Sequence, residues 1–501
     1  MVASLLKVIT TGVQDDRLHF NNTFYPFEKT WVRGGRFTTK WERLDFMNTP
    51  TFGNTAFVRL IRKGHLITRL YLVATMPDIS SIQVDALKQL QLTVPSATRV
   101  YPRFGWTNSL GHALVSQLTL DIAASRVETL DSRLLEILDE FNTPLEKVKG
   151  INELICRRES GFTETSFGWP PSNAFKASSY QQQVVVPLPF WFARGDPGSA
   201  LPIDAISMDE VRVGITFRAL NGLYYTPTQV PNTSAVDGTS LYPIINSNFF
   251  ATDPVINPGQ PIANAQGPIM MPLLQLGDCH IMAEYVYLDQ NEANRFRLAD
   301  LQVPIVQHYQ VNPYDSRGLM NARINLNIPN PTRDLFFMCN PVMAPSYNAH
   351  FLATNTLTGS ANTLPGSGQM PWWPDAGSRP GFALSNSEPI SGYELDYQGS
   401  LVRFRTEAPA LFRSIVPSLE QRKSPWINRY YYNIPMGIDN GLTPFSRPQG
   451  EANLDKITNK DLIINFKGYG TAVNQFIVYA YAETYNMLRV YGGRAGCMFA
   501  Y

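Results

Sequence analysis

The sequence predicts an all-β protein made of two consecutive eight-stranded jelly rolls, with short helices on the connecting loops. Segments in which apolar and polar residues alternate recur along most of the chain, which is typical of strands with one buried face. The 34 glycines and 37 prolines supply frequent turns between these segments. A stretch rich in Pro and Asn, residues 221–275, separates the segments into two comparable sets, so we expect two β domains.

The most regular strand pattern is Val211–Arg218, near the middle of the chain. Its apolar face consists of Val211, Val213, Ile215 and Phe217. We predict that these four side chains are in the core and that Arg212 and Arg218 are not. The preceding Val184–Phe192 is apolar on both faces and predicts a buried strand. The two strands, joined by a turn-rich connector, are predicted to close the first domain.

The first jelly roll is predicted at residues 27–220, preceded by an N-terminal arm at residues 1–26. Phe57–Ala74 predicts two short strands about a hairpin-type turn at Lys63-Gly64. Ala113–Ile122 alternates in the same way and predicts another strand.

The best helical pattern is Ser132–Cys156. The apolar residues at helical spacing are Leu134, Leu135, Leu138 and Phe141. Thr143–Glu146 has the composition of a helix N-terminus, with Pro at its first helical position. We therefore predict two short helices that meet near Asn142.

The second jelly roll is predicted at residues 276–501, after a long loop and interdomain connection at 221–275. The strand Cys279–Leu288 is predicted to open it, followed by a helix through Leu298 with Asp289 as its N-cap. Further strands are predicted at Arg323–Ile328, Leu335–Cys339, Leu401–Arg405, Arg429–Pro435, Asp461–Phe466 and Gln475–Tyr485. A short helix is expected at Pro409–Glu420, and a very long insert at 340–392.

Catalytic and nucleotide-binding motifs are absent from the sequence. The six histidines are scattered, at positions 19, 65, 112, 280, 308 and 350. The four cysteines are widely spaced: Cys156, Cys279, Cys339 and Cys497. Neither set has metal-ligand spacing or the density of a disulfide framework. We therefore predict no catalytic residue, no cofactor-binding residue, no metal ligand and no disulfide, with free thiols in a reducing compartment.

The charge composition favours no nucleic-acid or membrane partner. The formal net charge is +1 and only 17% of the residues are charged, so no large field attracts a polyanion. Few charges with many aromatics favour a protein with much of its surface buried against other subunits, and the alternative is an ordinary monomer with uncharged polar loops. Trp31–Arg36 is basic and aromatic, as in single-stranded nucleic-acid sites, but a turn at a domain edge is the preferred interpretation.

Processing signals are weak. We find no apolar run of membrane-spanning length, and residues 1–16 are too polar for a signal peptide. Asn21 and Asn232 lie in triplets that fit a glycosylation acceptor, and whether either is modified stays open.

Short motifs occur in a fixed order along both halves. In the first half they are Phe46–Pro77, Gly111–Ile122, Val186–Phe192 and Leu201-Pro202. In the second half they are Tyr285–Asp289 with Glu292 and Arg295, Met436–Ile438, Asn453–Ile457, and Asn486–Val490 ahead of Gly492-Gly493. In this order and spacing, over about 27–220 and 275–501, they resemble the major capsid proteins of nucleocytoplasmic large DNA viruses, of the iridovirus and algal-virus type.

The resemblance implies a double jelly roll with a structural role and no catalysis. In that family three chains form a pseudo-hexagonal capsomer, and capsomers tile the icosahedral shell of a double-stranded DNA virus. The implied partners are two further copies, neighbouring capsomers, minor capsid proteins and an internal membrane beneath the shell, with no direct genome binding. The implied location is the virion, after assembly in the host cytoplasm. The alternatives are a jelly-roll carbohydrate-binding or metal-dependent protein, and a minor capsid protein of the same fold.

The sequence departs from the family at its loops. The inserts 221–272 and 340–392 are long, and Ala123-Ala124 replaces a pair of glycines. We expect both inserts on the outer side of the capsomer. Connections leave a jelly roll only at its two ends, and one end must form a flat base toward the particle interior, where bulky inserts fit poorly. Their aromatics would anchor them against another chain: Phe249, Phe250, Tyr347, Trp372 and Trp373.

Overall fold

The computed structural model describes residues 37–77, 105–157, 182–194, 197–225, 229–231, 239–241, 274–342, 348, 350–353, 388–398, 401–425, 429–438, 449–467 and 475–499. Within them the chain forms two β-sandwiches, one after the other, in the compact body Thr38–Tyr501. The expected arm (1–26), most of both long inserts, Trp31–Arg36, Asn21 and Asn232 lie outside the described residues.

The first sandwich contains eight strands. They are β1 Phe37–Asp45, β2 Thr55–Arg59, β3 Leu66–Met76, β4 Val115–Ile122, β5 Ser125–Asp131, β6 Gln182–Pro187, β7 Val211–Phe217 and β8 Cys279–Leu288. One four-stranded sheet has the order β1–β8–β3–β6 and the other has the order β2–β7–β4–β5. The pairs β8–β3, β3–β6, β2–β7, β7–β4 and β4–β5 are antiparallel. This is the jelly-roll arrangement, in which successive strands, apart from the paired β4 and β5, alternate between two facing sheets.

The second sandwich repeats that order. Its strands are β9 Leu301–Gln310, β10 Asn321–Asn325, β11 Pro331–Pro341, β12 Ile390–Tyr397, β13 Leu401–Thr406, β14 Tyr431–Pro435, β15 Lys460–Phe466 and β16 Phe476–Tyr491. The sheets run β9–β16–β11–β14 and β10–β15–β12–β13. Three short strands extend the first of these sheets: Tyr314–Asp315, Ala452–Asn453 and Arg494–Cys497. The predicted double jelly roll is therefore confirmed.

The helices are short and lie on connections. They are α1 Leu110–Leu114, α2 Ser132–Asn142, α3 Val148–Leu154, α4 Gln290–Leu298 and α5 Val416–Glu420. Residues 409–420, here called the 409–420 helix, contain a π-helical turn, Leu411–Ile415, and then α5. The 3₁₀ turns are Leu145–Lys147, Trp191–Ala193, Pro197–Ser199, Leu220–Gly222 and Leu454–Lys456. The two helices predicted to meet near Asn142 are present, and Asp289 caps α4 as predicted.

Strand β8 corrects one sequence prediction. Cys279–Leu288 was expected to open the second jelly roll, but it pairs antiparallel with β3, Ile281 opposite Leu72. It completes the first sandwich between β1 and β3, and the second sandwich begins at Leu301. β8 and β3 are far apart in the sequence, so their pairing is decided by the completed sheet and cannot be read from the residues of β8 alone.

Some strands that are consecutive in the sequence lie in opposite sheets, although the sequence predicts a simple turn between them. The strands on either side of Lys63-Gly64 are β2 and β3, which belong to opposite sheets, so no hairpin forms there. Likewise β6 and β7 lie in opposite sheets. Both results follow from the jelly-roll connection pattern.

Four strands were not anticipated: β1, β5, β9 and β12. In β9 a proline and the buried polar residues Gln307 and His308 interrupt the alternation. Pro304 is tolerated because β9 is at the sheet edge and pairs there only with β16. Strand β12 begins in the last residues of the predicted insert 340–392 and runs to Tyr397, where no strand was predicted.

The core register of β7 matches the prediction. Val211, Val213, Ile215 and Phe217 are all buried, at most 1% exposed. Arg212 is 40% exposed at its side chain and lies over the Phe57 ring at 4.8 Å. Arg218 follows the strand, and its Nε donates to the Ala113 carbonyl at 2.8 Å, so it is anchored at the rim and not in the core.

The turn between β4 and β5 contains Ala123-Ala124, where the resembled family has glycines. Ala123 adopts φ 53°. This left-handed conformation favours glycine, since a Cβ is strained there. The turn therefore holds an alanine in a conformation that glycine would adopt with less strain.

Replacement of Phe217 tests this register. We expect Phe217→Ala to lower the free energy of unfolding by about 3–5 kcal/mol, because it leaves a cavity in a closely packed core. Arg212→Ser, one pleat away on the outer face, should cost under about 1 kcal/mol. Urea denaturation of both variants makes the comparison. Equal losses at both positions would contradict the assigned faces.

Candidate functional site at the junction of the two jelly rolls

Helix α2 lies at the junction of the two sandwiches. It starts directly after β5, where the Asp131 carboxylate accepts a hydrogen bond from the Leu134 N–H at 2.8 Å. Its predicted apolar positions are buried, and Phe141 packs on Phe336 of β11 with ring centroids 5.3 Å apart. The helix therefore adheres to the second jelly roll through apolar contacts.

Acidic residues of α2 are buried with the apolar ones. Glu136 is 0% exposed and Glu140 is 2% exposed, and Asp139 is nearly covered. The sequence contains no signal for this, because Glu136, Asp139 and Glu140 lie on the polar face of an amphipathic helix, which would ordinarily face solvent. The sequence interpretation used only the leucines and so missed the acids.

Arg157, just after α3, pairs with all three acids from the side of the first jelly roll. Its Nη2 donates to Glu136 Oε2 at 2.7 Å, and its Nη1 lies 3.4 Å from Glu140 Oε1 and also bonds Asp139. His112 of α1 reaches Glu136 Oε2 through Nδ1 at 2.7 Å. The cluster thus ties α1, α2 and the end of α3 together.

The second jelly roll supplies the other two cations. Lys423 Nζ is 3.0 Å from Glu140 Oε2, and Arg429 Nε is 3.2 Å from Glu140 Oε1. Arg429 also bonds Glu136. Both cations lie between the 409–420 helix and β14, so these ion pairs join the two jelly rolls. Three carboxylates are matched by Arg157, Lys423 and Arg429, which leaves the buried cluster balanced.

The pKa values follow from this pairing. Burial by itself would raise the pKa of Glu136, but Arg157 and Arg429 outweigh it and hold the pKa well below its ordinary value. The pKa values of Asp139 and Glu140 are lowered for the same reasons. Their contribution to stability is therefore present above the ordinary carboxyl range and is lost as the pH falls through the lowered values.

A second network crosses the junction beside α2. His308 Nδ1 of β9 is 2.5 Å from Glu128 Oε1 of β5. Arg194 donates to Glu483 Oε1 at 2.8 Å and to His308 Nε2 at 2.9 Å. His308 Nε2 also lies 3.3 Å from Glu483 Oε1, so the ring has a carboxylate beside each nitrogen. Burial alone would lower the pKa of His308, but the hydrogen bonds to Glu128 and Glu483 outweigh it and raise the pKa. Gln307 Nε2 donates to the Val127 carbonyl at 2.6 Å, which joins the same two strands.

The described start of the second insert packs on the first jelly roll. Thr107 Oγ1 donates to the Asn348 carbonyl at 2.8 Å, and His350 Nε2 donates to the Gly222 carbonyl at 2.8 Å. Burial, with the positive charge of Arg218 nearby, lowers the pKa of His350 to about 3, so the imidazole is neutral. This part of the insert therefore belongs to the intramolecular junction.

The turn at Gly492-Gly493 also meets the first jelly roll. Gly493 has φ 82°, and its carbonyl accepts from the Met208 N–H at 2.8 Å. A Cβ at this position would lie 2.3 Å from Ser207 Oγ. The close approach of the two jelly rolls here requires glycine.

The remaining candidate residues stay apart. His65 Nδ1 accepts from the Leu288 N–H at 2.8 Å and His280 pairs with Asp278, while His19 lies outside the described residues. Burial raises the pKa of the Cys279 thiol to about 12. Among the described residues, neither a metal-ligating cluster nor a helix long and apolar enough to cross a membrane is found. The absence of metal and disulfide stays a prediction.

Glu136→Gln tests the ion cluster. We expect it to lower the free energy of unfolding by about 3–5 kcal/mol, because Arg157 and Arg429 would be left buried without their counter-charge. Asp300→Asn is the control, since its partner Arg489 is an exposed residue on the surface. Urea denaturation at pH 7 should find this control unchanged. A loss as small for Glu136→Gln as for the control would rule out the cluster as a stabilising junction.

His350→Gln tests the pH dependence. The wild-type group has its folded pKa depressed from 6.5 to about 3, so stability is lost as the pH falls through that window. The slope from this group is about 1.4 kcal/mol per pH unit. Gln retains an N–H donor for Gly222 but does not titrate. Between pH 7 and pH 5 the variant should lose about 2 kcal/mol less than the wild type, and an identical loss in both would contradict the assignment.

The comparisons agree with this architecture. Residues 26–289 match the family described as the major capsid protein N-terminus, which ends where β8 ends. The chain is 22% identical over 470 residues to the major capsid protein of Frog virus 3, covering 89% of this chain and 86% of that protein. It is 23% identical over 340 residues to capsid protein 1 of Acanthamoeba polyphaga mimivirus, covering 68% of this chain but only 49% of that protein.

Solved structures show the fold. The structure of PBCV-1 VP54 has a TM-score of 0.65 at 17% identity, covering 95% of this chain and 100% of that one. The Faustovirus major capsid protein has a TM-score of 0.60 at 9% identity, covering 97% of this chain and 96% of that one. The family match covers more than half of the sequence. The chain therefore belongs to the major capsid proteins of nucleocytoplasmic large DNA viruses.

Proposed function

We propose that three copies of this chain form a capsomer of near-hexagonal outline, and that such capsomers tile the icosahedral shell of a large double-stranded DNA virus. The observation that supports this is the repeated sheet order, β1–β8–β3–β6 in the first jelly roll and β9–β16–β11–β14 in the second. One chain thus supplies two similar wedges. A ring of three such chains contains six wedges and can occupy a hexagonal lattice position.

The rigid junction supports the same proposal. Lattice packing requires the two wedges to keep one relative orientation, and buried ion pairs such as Glu140–Lys423 tolerate little rotation. A flexible linkage between jelly rolls would give capsomers of variable outline.

The partners proposed are two further copies, neighbouring capsomers, minor capsid proteins and a membrane beneath the shell. Direct genome binding is not proposed, because a net charge of +1 provides little attraction for DNA. We also propose that assembly takes place in the host cytoplasm. The long inserts, 221–272 and 340–392, are proposed to lie on the outer side of the capsomer, where bulky loops do not obstruct a flat base.

Light scattering coupled to size-exclusion chromatography tests the trimer. The purified chain should elute at about three times the 56.2 kDa of one chain. A protein that stays monomeric at micromolar concentration would contradict the proposal. In purified particles a shell-forming protein should also be the most abundant polypeptide, whereas a minor capsid protein of the same fold would be present in few copies.

A further inference from the structure

We infer that the 409–420 helix docks on the outer face of the β1–β8–β3–β6 sheet of a second copy, repeating between chains the contact that α2 makes within one chain. The inference rests on the proposed trimer, because it assigns the surfaces through which the copies meet. Its basis is the internal repetition of the fold.

The contact within one chain is the template. Strand β5 and α2 of the first jelly roll lie against the β9–β16–β11–β14 sheet of the second. Arg133 of α2 stacks over the Tyr479 ring at 4.0 Å, and Phe141 packs on Phe336. Tyr481 donates to the Asp131 carboxylate at 2.7 Å. The outer face of this sheet is thereby covered.

The helix side of this contact has an exposed counterpart in the second jelly roll. The 409–420 helix follows β13 as α2 follows β5, and both strands occupy the same edge of equivalent sheets. Leu411, Ile415 and Leu419 are spaced by four residues and so lie along one side of this helix. They are 39%, 56% and 65% exposed, although an apolar stripe on a helix ordinarily faces a packing partner.

The sheet side of this contact also has an exposed counterpart, on the β1–β8–β3–β6 sheet of the first jelly roll. Tyr71 and Phe336 are each the sixth residue of an 11-residue strand, β3 and β11. Tyr71 pairs with Met282 of β8, as Phe336 pairs with Tyr481 of β16. Leu70 and Leu72 point into the core, so Tyr71 points outward.

The two equivalent sheet faces differ in exposure: the face under α2 is buried, and the face that carries Tyr71 is partly exposed. Phe336 and Tyr481 are each 1% exposed under α2, whereas Tyr71 and Met282 are partly exposed. Trp41, whose ring centroid is 5.6 Å from that of Tyr71, is 43% exposed. Tryptophan, tyrosine and methionine on one face have the composition of an interface core.

A second copy is the occupant that fits both surfaces. In a closed ring of six alternating jelly rolls, the second jelly roll of each chain faces the first jelly roll of the next. The stripe of Leu411, Ile415 and Leu419 then meets the face of Trp41, Tyr71 and Met282 in the geometry that α2 already uses. Among the described residues both surfaces keep exposed apolar area, as expected of surfaces that are covered only after assembly.

The experiment uses the full-length chain. Leu419→Asp should convert the trimer to a monomer in light scattering. The monomer should stay folded and unfold cooperatively on heating, since the substituted residue is exposed. Leu298→Asp on α4 is the matched control, because Leu298 is 87% exposed and lies away from the stripe; it should remain trimeric. Tyr71→Lys should also dissociate the trimer.

The double variant Leu419→Asp with Tyr71→Lys tests the pairing itself. Each interface would then bring an aspartate opposite a lysine, and trimers should reappear. A wild type that is monomeric overturns the proposed function and this inference with it. A trimeric wild type with a trimeric Leu419→Asp overturns only the inference, and the stripe then serves another protein. Two dissociated single variants without recovery in the double variant would show that the surfaces do not face each other.

Discussion

The buried ion cluster of α2 determines how the two jelly rolls are placed. Removing charged groups from water costs several kcal/mol for each ion, and this cost is offset only when every charge finds its partner. Glu136 and Glu140 find theirs with Arg157 from one sandwich and with Lys423 and Arg429 from the other. A different relative orientation of the sandwiches would leave a buried charge unpaired. The apolar contacts of α2 supply adhesion, and the ion pairs select a single orientation.

Patterns that depend on local periodicity could be predicted from the sequence. The alternation of β7 gave its buried face correctly, and the cap at Asp289 gave the start of α4. Strand β9 could not be found this way, because its outward face is buried at the junction and carries His308 where a solvated strand would carry an exposed residue. The assignment of β8 failed because strand pairing over such a separation depends on the whole sheet. Of the junction, only the apolar positions of α2 were predicted, since pairing with Lys423 and Arg429 arises from tertiary structure.

The two jelly rolls share a sheet order but differ in what covers their outer faces. In the second, α2 and β5 cover the β9–β16–β11–β14 sheet, so polar groups such as His308 and Glu483 are buried there and must be paired. In the first, the corresponding face keeps Trp41 in contact with solvent. The same scaffold thus carries an intramolecular joint on one sandwich and a free surface on the other, and the difference lies in the side chains and the connections.

The sheet order also governs the sequence of events during synthesis. In each sandwich the last strand to leave the ribosome is inserted between the first and the third, as β8 is between β1 and β3. Until it arrives, the nascent chain presents β1 without a neighbour and β3 with one open edge. At roughly 5–20 residues per second the interval between β1 and β8 is on the order of tens of seconds. During translation the first jelly roll therefore holds an open groove of strand edges, the surface on which a chaperone would act and through which nascent chains on one messenger would aggregate.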